Sequence, residues 1–223
     1  MMWKLRLRRL AYTRRVAGTA LQKCWQSPLP NTGRDWRQVS FLVVDAEMSS
    51  LDANTGELLS VGWVCVERGA IDLASARHYL LKADRSVGQS ATIHNLRDCE
   101  LSDAPAPEQV MQHFFEAAAG RVLVFHNAQL DIAFLNRLSR REFNAPVLLP
   151  FVDTLRQEHR LLERREQPIQ SGDLRLQACR ERYSLPPFHG HNALLDALAT
   201  AELLLAMASH RSGGKAFQLA QLL

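Results

Sequence analysis

The stretch at residues 41–52, FLVVDAEMSSLD, constrains this chain more than any other. Four apolar residues run directly into Asp45 and Glu47, with Ala46 between them. A short continuous apolar run rich in Val reads as a strand buried on both faces. Side chains alternate along a strand, so the two carboxylates point the same way, about 7 Å apart along the chain. At an effective dielectric near 20, two charges about 6 Å apart repel by roughly 3 kcal/mol. A divalent cation relieves that repulsion, and hard cations such as Mg²⁺ choose carboxylate oxygens. Taken alone, D-x-E also fits a strand that ends in polar turn residues, so the rest of the chain decides.

After a polar turn at Asn54, Thr55 and Gly56, residues 59–67 and 71–81 read as two more strands, joined by a hairpin turn at Arg68 and Gly69. Three strands in quick succession predict an antiparallel meander. From Pro105 the period becomes helical: Val110, Met111, Phe114 and Phe115 share a face, and Gly120 ends the helix. Residues 121–125 form a short buried strand, a helix follows from Ala128, and residues 148–152 form another strand ending at Asp153. Helices are predicted over about 154–165, 173–183 and 192–209. The predicted class is α/β, a mixed five-stranded sheet with an antiparallel meander and then parallel strands, flanked by helices. Sites in such sheets gather at the carboxyl ends of central strands, where Asp45, Glu47 and His126 fall.

Charge divides the chain into a basic leader (1–38), a main domain (39–209) and a short tail (210–223). Nine of the 27 Lys and Arg residues precede Val39 with a single acidic residue, Asp35, leaving 18 basic against 22 acidic residues. The basic balance is therefore the leader's property. Leu5, Leu7, Leu10 and Val16 alternate with Arg6, Arg8, Arg9, Arg14 and Arg15, the pattern of a basic amphipathic helix. A solvated arm, a phosphate- or lipid-contacting arm and an Arg-rich transit peptide all fit it. The tail, with AFQLAQLL, fits packing on the body or a small hydrophobic hook. Cys24, Cys65, Cys99 and Cys179 are scattered without C-x-x-C or zinc spacing, which predicts a reducing, cytoplasmic setting. No stretch is read as a transmembrane segment or a secretory signal.

Two further segments carry acidic residues. HNAQLDIAFLNRL, residues 126–138, opens a helix whose stripe is Leu130, Phe134 and Leu138. Asp131 lies beside that stripe, where a carboxylate needs a cation or donors unless the position is a solvated edge. HNALLDALATAELLL, residues 191–205, has a stripe of Leu194, Leu198, Ala201 and Leu205, with Asn192 as N-cap and Asp196 on the flank. His191 stands five residues before Asp196, about 140° away on a helix, so it belongs to a preceding loop. His189 competes with it on spacing alone.

Together these segments resemble the DEDDh 3′–5′ exonucleases, the DnaQ-like group that includes the proofreading subunit of bacterial DNA polymerase III. The resemblance covers about residues 39–209. It rests on D-A-E at 45–47, H-N-A-x-x-D at 126–131 and H-x4-D at 191–196, in order. Thr92-Ile93-His94-Asn95-Leu96, Val152-Asp153-Thr154-Leu155 and residues 174–183 match lesser landmarks. Where the family usually has T-T-G-L after the first motif, this chain has Met48-Ser49-Ser50-Leu51.

The resemblance implies a ribonuclease H-like fold and a two-metal mechanism. Asp45, Glu47, Asp131 and Asp196 would hold two Mg²⁺ ions, with Mn²⁺ able to substitute, and His191 would be the general base. Met48, Leu51, His94, His126 and Asn127 would contact the substrate, Leu51 as a wedge against the terminal base. The implied activity is stepwise hydrolysis of single-stranded DNA 3′ ends to nucleoside 5′-monophosphates. RNA 3′-end trimming is the alternative within the class, and a polymerase-associated interaction module with a residual nuclease site is the alternative outside it. A DNA polymerase contact is a further implied partner.

Overall fold

The computed structural model describes residues 2–82, 101–188, 190 and 192–223. Its strands are β1 (Phe41–Met48), β2 (Leu58–Glu67), β3 (Ala70–Leu80), β4 (Val122–Phe125) and β5 (Phe151–Asp153). Its helices are α1 (Met2–Leu10), α2 (Ala20–Gln26), α3 (Pro107–Ala118), α4 (Ala128–Phe143), α5 (Thr154–Arg164), α6 (Leu176–Glu181) and α7 (Ala193–Ser212). Among the described residues the strands form one five-stranded sheet, ordered β3-β2-β1-β4-β5. The first three are antiparallel neighbours, and β4 and β5 join β1 in parallel. That is the mixed sheet the strand spacing predicts.

The β2–β3 hairpin turns at Arg68 (φ 53°) and Gly69 (φ 74°). Positive φ at both central positions gives the turn whose twist matches the strands, and Gly supplies the second without strain. The last strand starts later than its apolar run suggests. Leu148 adopts left-handed backbone at φ 43°, which breaks the extended run, so β5 begins only at Phe151.

Burial on both faces explains the unbroken apolar run of β1. Leu42, Val44 and Ala46 pack with Trp63, Phe114, Phe125 and Phe134, beneath α3 and α4. Phe41 and Val43 pack on the other face with Val64, Val124, Ala201 and Leu204, beneath α7. Each such fully buried side chain contributes about 1.5–3 kcal/mol.

Helix α7 is rotated from its predicted setting. Its buried line runs through Ala197, Ala201, Leu204 and Ala208, while Leu194, Leu198 and Leu205 are only partly buried. Small alanines at the contact bring the helix close to the sheet, and the leucines fall to either side. By length and composition α7 is long and apolar enough to cross a membrane, a test that a buried core helix also passes. In this fold it packs on β1 and β2.

The leader and the tail both fold back on the body. Val16, Leu21 and Cys24 join the core beside α3. Arg9 donates from Nε and Nη2 to the Leu148 carbonyl (3.1 and 3.0 Å) and from Nη1 to the Trp25 carbonyl (3.2 Å). The Trp25 indole N–H donates to the Val147 carbonyl at 3.0 Å. In the tail, Phe217, Leu219 and Leu222 are buried. The Trp36 N–H donates to the Phe217 carbonyl at 2.9 Å, and the Leu219 N–H to the Arg34 carbonyl at 3.0 Å. Of the two readings of the tail, packing is the one this structure adopts.

Candidate metal centre

Strand β1 outruns its parallel neighbour. It pairs with β4 only from Phe41 to Val43, yet continues along β2 as far as Met48. Beyond Val43 its other edge is open, at the carboxyl end of the sheet. Asp45 and Glu47 share the face of Val43, the face that α7 covers. From the first turn of α7 comes Asp196. Asp45, Glu47 and Asp196 each offer a carboxylate oxygen, and these oxygens lie within 4.8 Å of one another.

Local chemistry fixes the Asp196 end. The Asn192 side chain caps α7, accepting from the N–H groups of Leu194 (3.1 Å) and Leu195 (3.2 Å). Gly62 lies opposite Asp45 in the β1–β2 pairing. A Cβ at residue 62 would overlap the backbone of Ala193 and Leu194, so only glycine lets the start of α7 rest on the strand. Gly190 is also close, since a Cβ there would sit 3.3 Å from Asp196 Oδ1.

Asp131 comes from the opposite face of the sheet, on α4. It belongs to the buried line with Phe134, Leu135 and Leu138 and is 6% exposed, which rules out the solvated edge. Its carboxylate accepts hydrogen bonds from its own N–H and from the N–H of Ala46, on the stretch of β1 that β4 leaves unpaired. It stands beside the compact trio, close enough for its charge to act on Asp45.

Burial raises the pKa of three of these carboxylates. Asp45 is raised well above the ordinary carboxylate range, first by burial and then by the charges of Asp131, Asp196 and Glu47. Glu47 is pushed up to about 7 by burial and by Asp196. Asp131 is pushed up to about 8, chiefly by burial, with Asp153 and Glu47 adding to it and the two backbone N–H groups opposing. Hard oxygen donors, crowded and mutually repelling, are what a divalent cation satisfies, so the residues present fit one.

Around the carboxylates, Met48 ends β1 at a register shift against β2 and is half-buried. Leu51 is 85% exposed on the loop at residues 49–57. That loop is closed by the Ser49 N–H donating to the Glu57 carbonyl (2.9 Å) and the Glu57 N–H donating to Ser49 Oγ (2.8 Å). Arg137 of α4 braces it, donating to the carbonyls of Ala53 (2.7 Å) and Gly56 (2.6 Å).

The His126 ring is held by protein on both nitrogens. Nδ1 lies 2.9 Å from Thr154 Oγ1, and Nε2 lies 2.8 Å from the Leu174 carbonyl. Burial lowers its pKa. Asn127 is exposed in left-handed backbone at φ 70°, and its N–H donates to Asp153 Oδ1 at 3.1 Å. His94 with its motif, His189 and His191 lie outside the described residues. Gly62, Arg137 and Asp153 are positions whose structural roles the sequence reading missed. A glycine inside an apolar strand signals close backbone approach and could have marked the first.

Comparison with known proteins agrees with this arrangement. A PolC-type DNA polymerase III of Thermotoga petrophila is 28% identical over 171 residues, which is 76% of this chain and 12% of that one. The DNA polymerase III subunit epsilon of Buchnera aphidicola is 28% identical over 177 residues, covering 71% of this chain and 73% of that one. This chain therefore spans only a small part of the PolC-type relatives it matches. Among solved structures, E. coli Exonuclease I in complex with a dT13 oligonucleotide superposes with a TM-score of 0.65 at 14% identity, over 79% of this chain and 42% of that one. Cell-death related nuclease 4 gives a TM-score of 0.63 at 14% identity, over 77% of this chain and 64% of that one. At such identities the two structures speak for the fold. The sequence profile of the exonuclease family matches residues 42–204, a span that begins inside β1 and takes in all four carboxylates. The chain belongs to the exonuclease family and is a nuclease of the DnaQ-like, DEDDh group.

Proposed function

We propose that this nuclease removes nucleotides stepwise from the 3′ end of single-stranded DNA, releasing nucleoside 5′-monophosphates. The observation that carries the reading is the convergence of Asp45, Glu47 and Asp196 within 4.8 Å, with Asp131 beside them. These four residues would hold two Mg²⁺ ions, replaceable by Mn²⁺, which when bound supply an activated water and charge stabilisation at the leaving 3′ oxygen. His191 takes the water's proton, a task for a group that titrates near neutrality. Its chain neighbours support this role, since Gly190 abuts Asp196 and Asn192 caps the helix that carries it. Leu51, 85% exposed, stands free to wedge against the terminal base, and Asn127 is also exposed, at the start of α4. The dT13 oligonucleotide in the Exonuclease I structure favours single-stranded DNA as substrate. The polymerase III relatives favour work beside a DNA polymerase, in replication or repair.

The test is release of mononucleotides from a 3′-labelled single-stranded DNA and from the matching RNA. Each is assayed with Mg²⁺, with Mn²⁺ and with EDTA, for the parent chain and for Asp45→Ala and His191→Ala. Metal-dependent release from DNA, lost in both variants, is the expected result. Faster release from RNA would turn the reading to RNA 3′-end trimming. No release from either strand by the folded, metal-supplied protein would refute catalysis.

A further inference from the structure

Helix α1 is docked with its apolar side outward. Trp3, Leu7 and Leu10 recur at i, i+4 and i+7, so they form one stripe, and they are 60%, 56% and 69% exposed. The side that faces the body is held by Arg9, which is 8% exposed and bonded to the carbonyls of Leu148 and Trp25. Those bonds fix the helix about its axis and keep the stripe from turning inward. On an ideal helix Lys4 and Arg8 flank the stripe on one side and Arg6 on the other, and all three are exposed. Arg14 and Arg15 follow, also exposed, and no acidic residue precedes Asp35.

We propose that α1 is a peripheral membrane anchor that seats this nuclease on a bilayer surface rich in anionic lipid. An outward apolar stripe bordered by cations on both sides is the make-up of an interfacial helix. Its apolar side chains enter the boundary with the acyl chains, while Lys and Arg meet the phosphates. Charge complementarity selects this occupant over a second copy of the chain, because two such helices face to face would oppose like charges. Three side chains also fall well short of the about 800 Å² a side that a stable protein interface needs, whereas a bilayer accepts a single helical stripe. The exonuclease profile begins at residue 42, so α1 lies outside the part of the chain shared with the family.

The experiment is flotation of the full chain with two kinds of vesicle: phosphatidylcholine alone, and phosphatidylcholine with phosphatidylglycerol in equal parts. The chain should float with the anionic vesicles only, and less so at high salt. Leu7→Gln with Leu10→Gln should weaken partitioning by about tenfold or more. Lys4→Gln with Arg8→Gln should weaken it by about 30-fold. Nuclease activity and melting temperature should stay unchanged in both double variants. Failure to float with either vesicle overturns the proposal. So does binding to anionic vesicles that the leucine variants leave intact, which would reduce α1 to a basic arm. Loss of single-stranded DNA binding in these variants, with vesicle binding unaffected, would assign the helix to nucleic acid instead.

Discussion

Gly62 of β2 and Leu194 of α7 meet backbone to backbone. A single added carbon at 62 would overlap the Leu194 N and Cα and the Ala193 carbonyl carbon. Because Gly62 is the register partner of Asp45, the same contact sets the height at which α7 delivers Asp196 to the cluster. Gly62→Ala should therefore lower stability by about 1–3 kcal/mol, the usual cost of overpacking. It should also reduce kcat more than 1 Å-scale changes elsewhere in the sheet would, since Asp196 moves relative to Asp45. Urea unfolding and nuclease assays on the one variant read both effects. An unchanged stability would mean that the helix can lift without penalty.

The carboxylate protons make a second prediction with a definite sign. Glu47 and Asp131 have folded values of about 7 and about 8, raised above ordinary values of 4.5 and 3.8. Between those limits the folded protein binds more protons than the unfolded chain, so unfolding free energy falls as pH rises. In EDTA, the contribution of these two groups to stability is fully present below about pH 4, is lost as pH rises through their folded values and levels off past about pH 8. Glu47 alone accounts for roughly 3 kcal/mol of the loss. Adding Mg²⁺ should raise the melting temperature far more at high pH than at low pH, because the ligands must first give up their protons. A melting temperature in EDTA that climbs with pH would contradict the buried, mutually repelling cluster.

Asp45→Asn separates catalysis from stability. Losing one ionisable group from the centre of the cluster removes its repulsion with Asp131, Asp196 and Glu47. The metal-free variant should therefore melt higher than the parent at alkaline pH, while its nuclease rate drops on the order of 10²–10³-fold. Calorimetry in EDTA and single-turnover hydrolysis check the two halves independently.

Arg137 gives a test of loop bracing. Its guanidinium ties the carbonyls of Ala53 and Gly56 to α4, below the loop that bears Leu51. Arg137→Ala should raise KM several-fold and leave kcat nearly intact, with a stability loss of about 1–2 kcal/mol. A fall in kcat without a change in KM would mean that the loop aligns the carboxylates, not the substrate.

The sheet and the first pair of clustered carboxylates were legible in the sequence for physical reasons. β1 is buried on both faces, so its apolar run is continuous, and the pair of carboxylates at its end stands out against it. The antiparallel meander of the first three strands followed from how closely β2 and β3 trail β1. What the sequence hid was contact at a distance. Hydropathy favoured leucines as the core line of α7, but closeness to β2 selects the alanines, and that closeness depends on Gly62, well over a hundred residues away. Asp131 looked like an edge residue because burial of a carboxylate is costly. The open β1 edge, with the Ala46 N–H available, offsets part of that cost. The leader's charge suggested a solvated arm, and only the three hydrogen bonds of Arg9 show that α1 is held against the body.

One carboxylate serves two helices. Asp153 caps α5 by accepting from the Arg156 N–H at 3.3 Å. The same side chain accepts from the N–H groups of Asn127 (3.1 Å) and Ala128 (3.2 Å), at the start of α4. Asp153 thus fixes the end of α4 from which Asp131 projects, and its charge adds to the forces that raise the Asp131 pKa. Asp153→Ala removes an N-cap and strands two more donors, so stability should fall by about 2–3 kcal/mol and nuclease activity with it. Asp153→Asn keeps Oδ1 as acceptor for the Asn127 and Arg156 N–H groups, but removes the charge and sets an NH2 donor where Oδ2 accepts from Ala128. Most of the stability should then survive, while the Asp131 pKa falls from its raised value as one of its repelling neighbours is lost. Carboxyl NMR titration of metal-free protein, beside urea unfolding of both variants, distinguishes the two roles. Equal destabilisation by Ala and Asn would show that one retained acceptor oxygen does not hold the two helices together without the charge and the second oxygen.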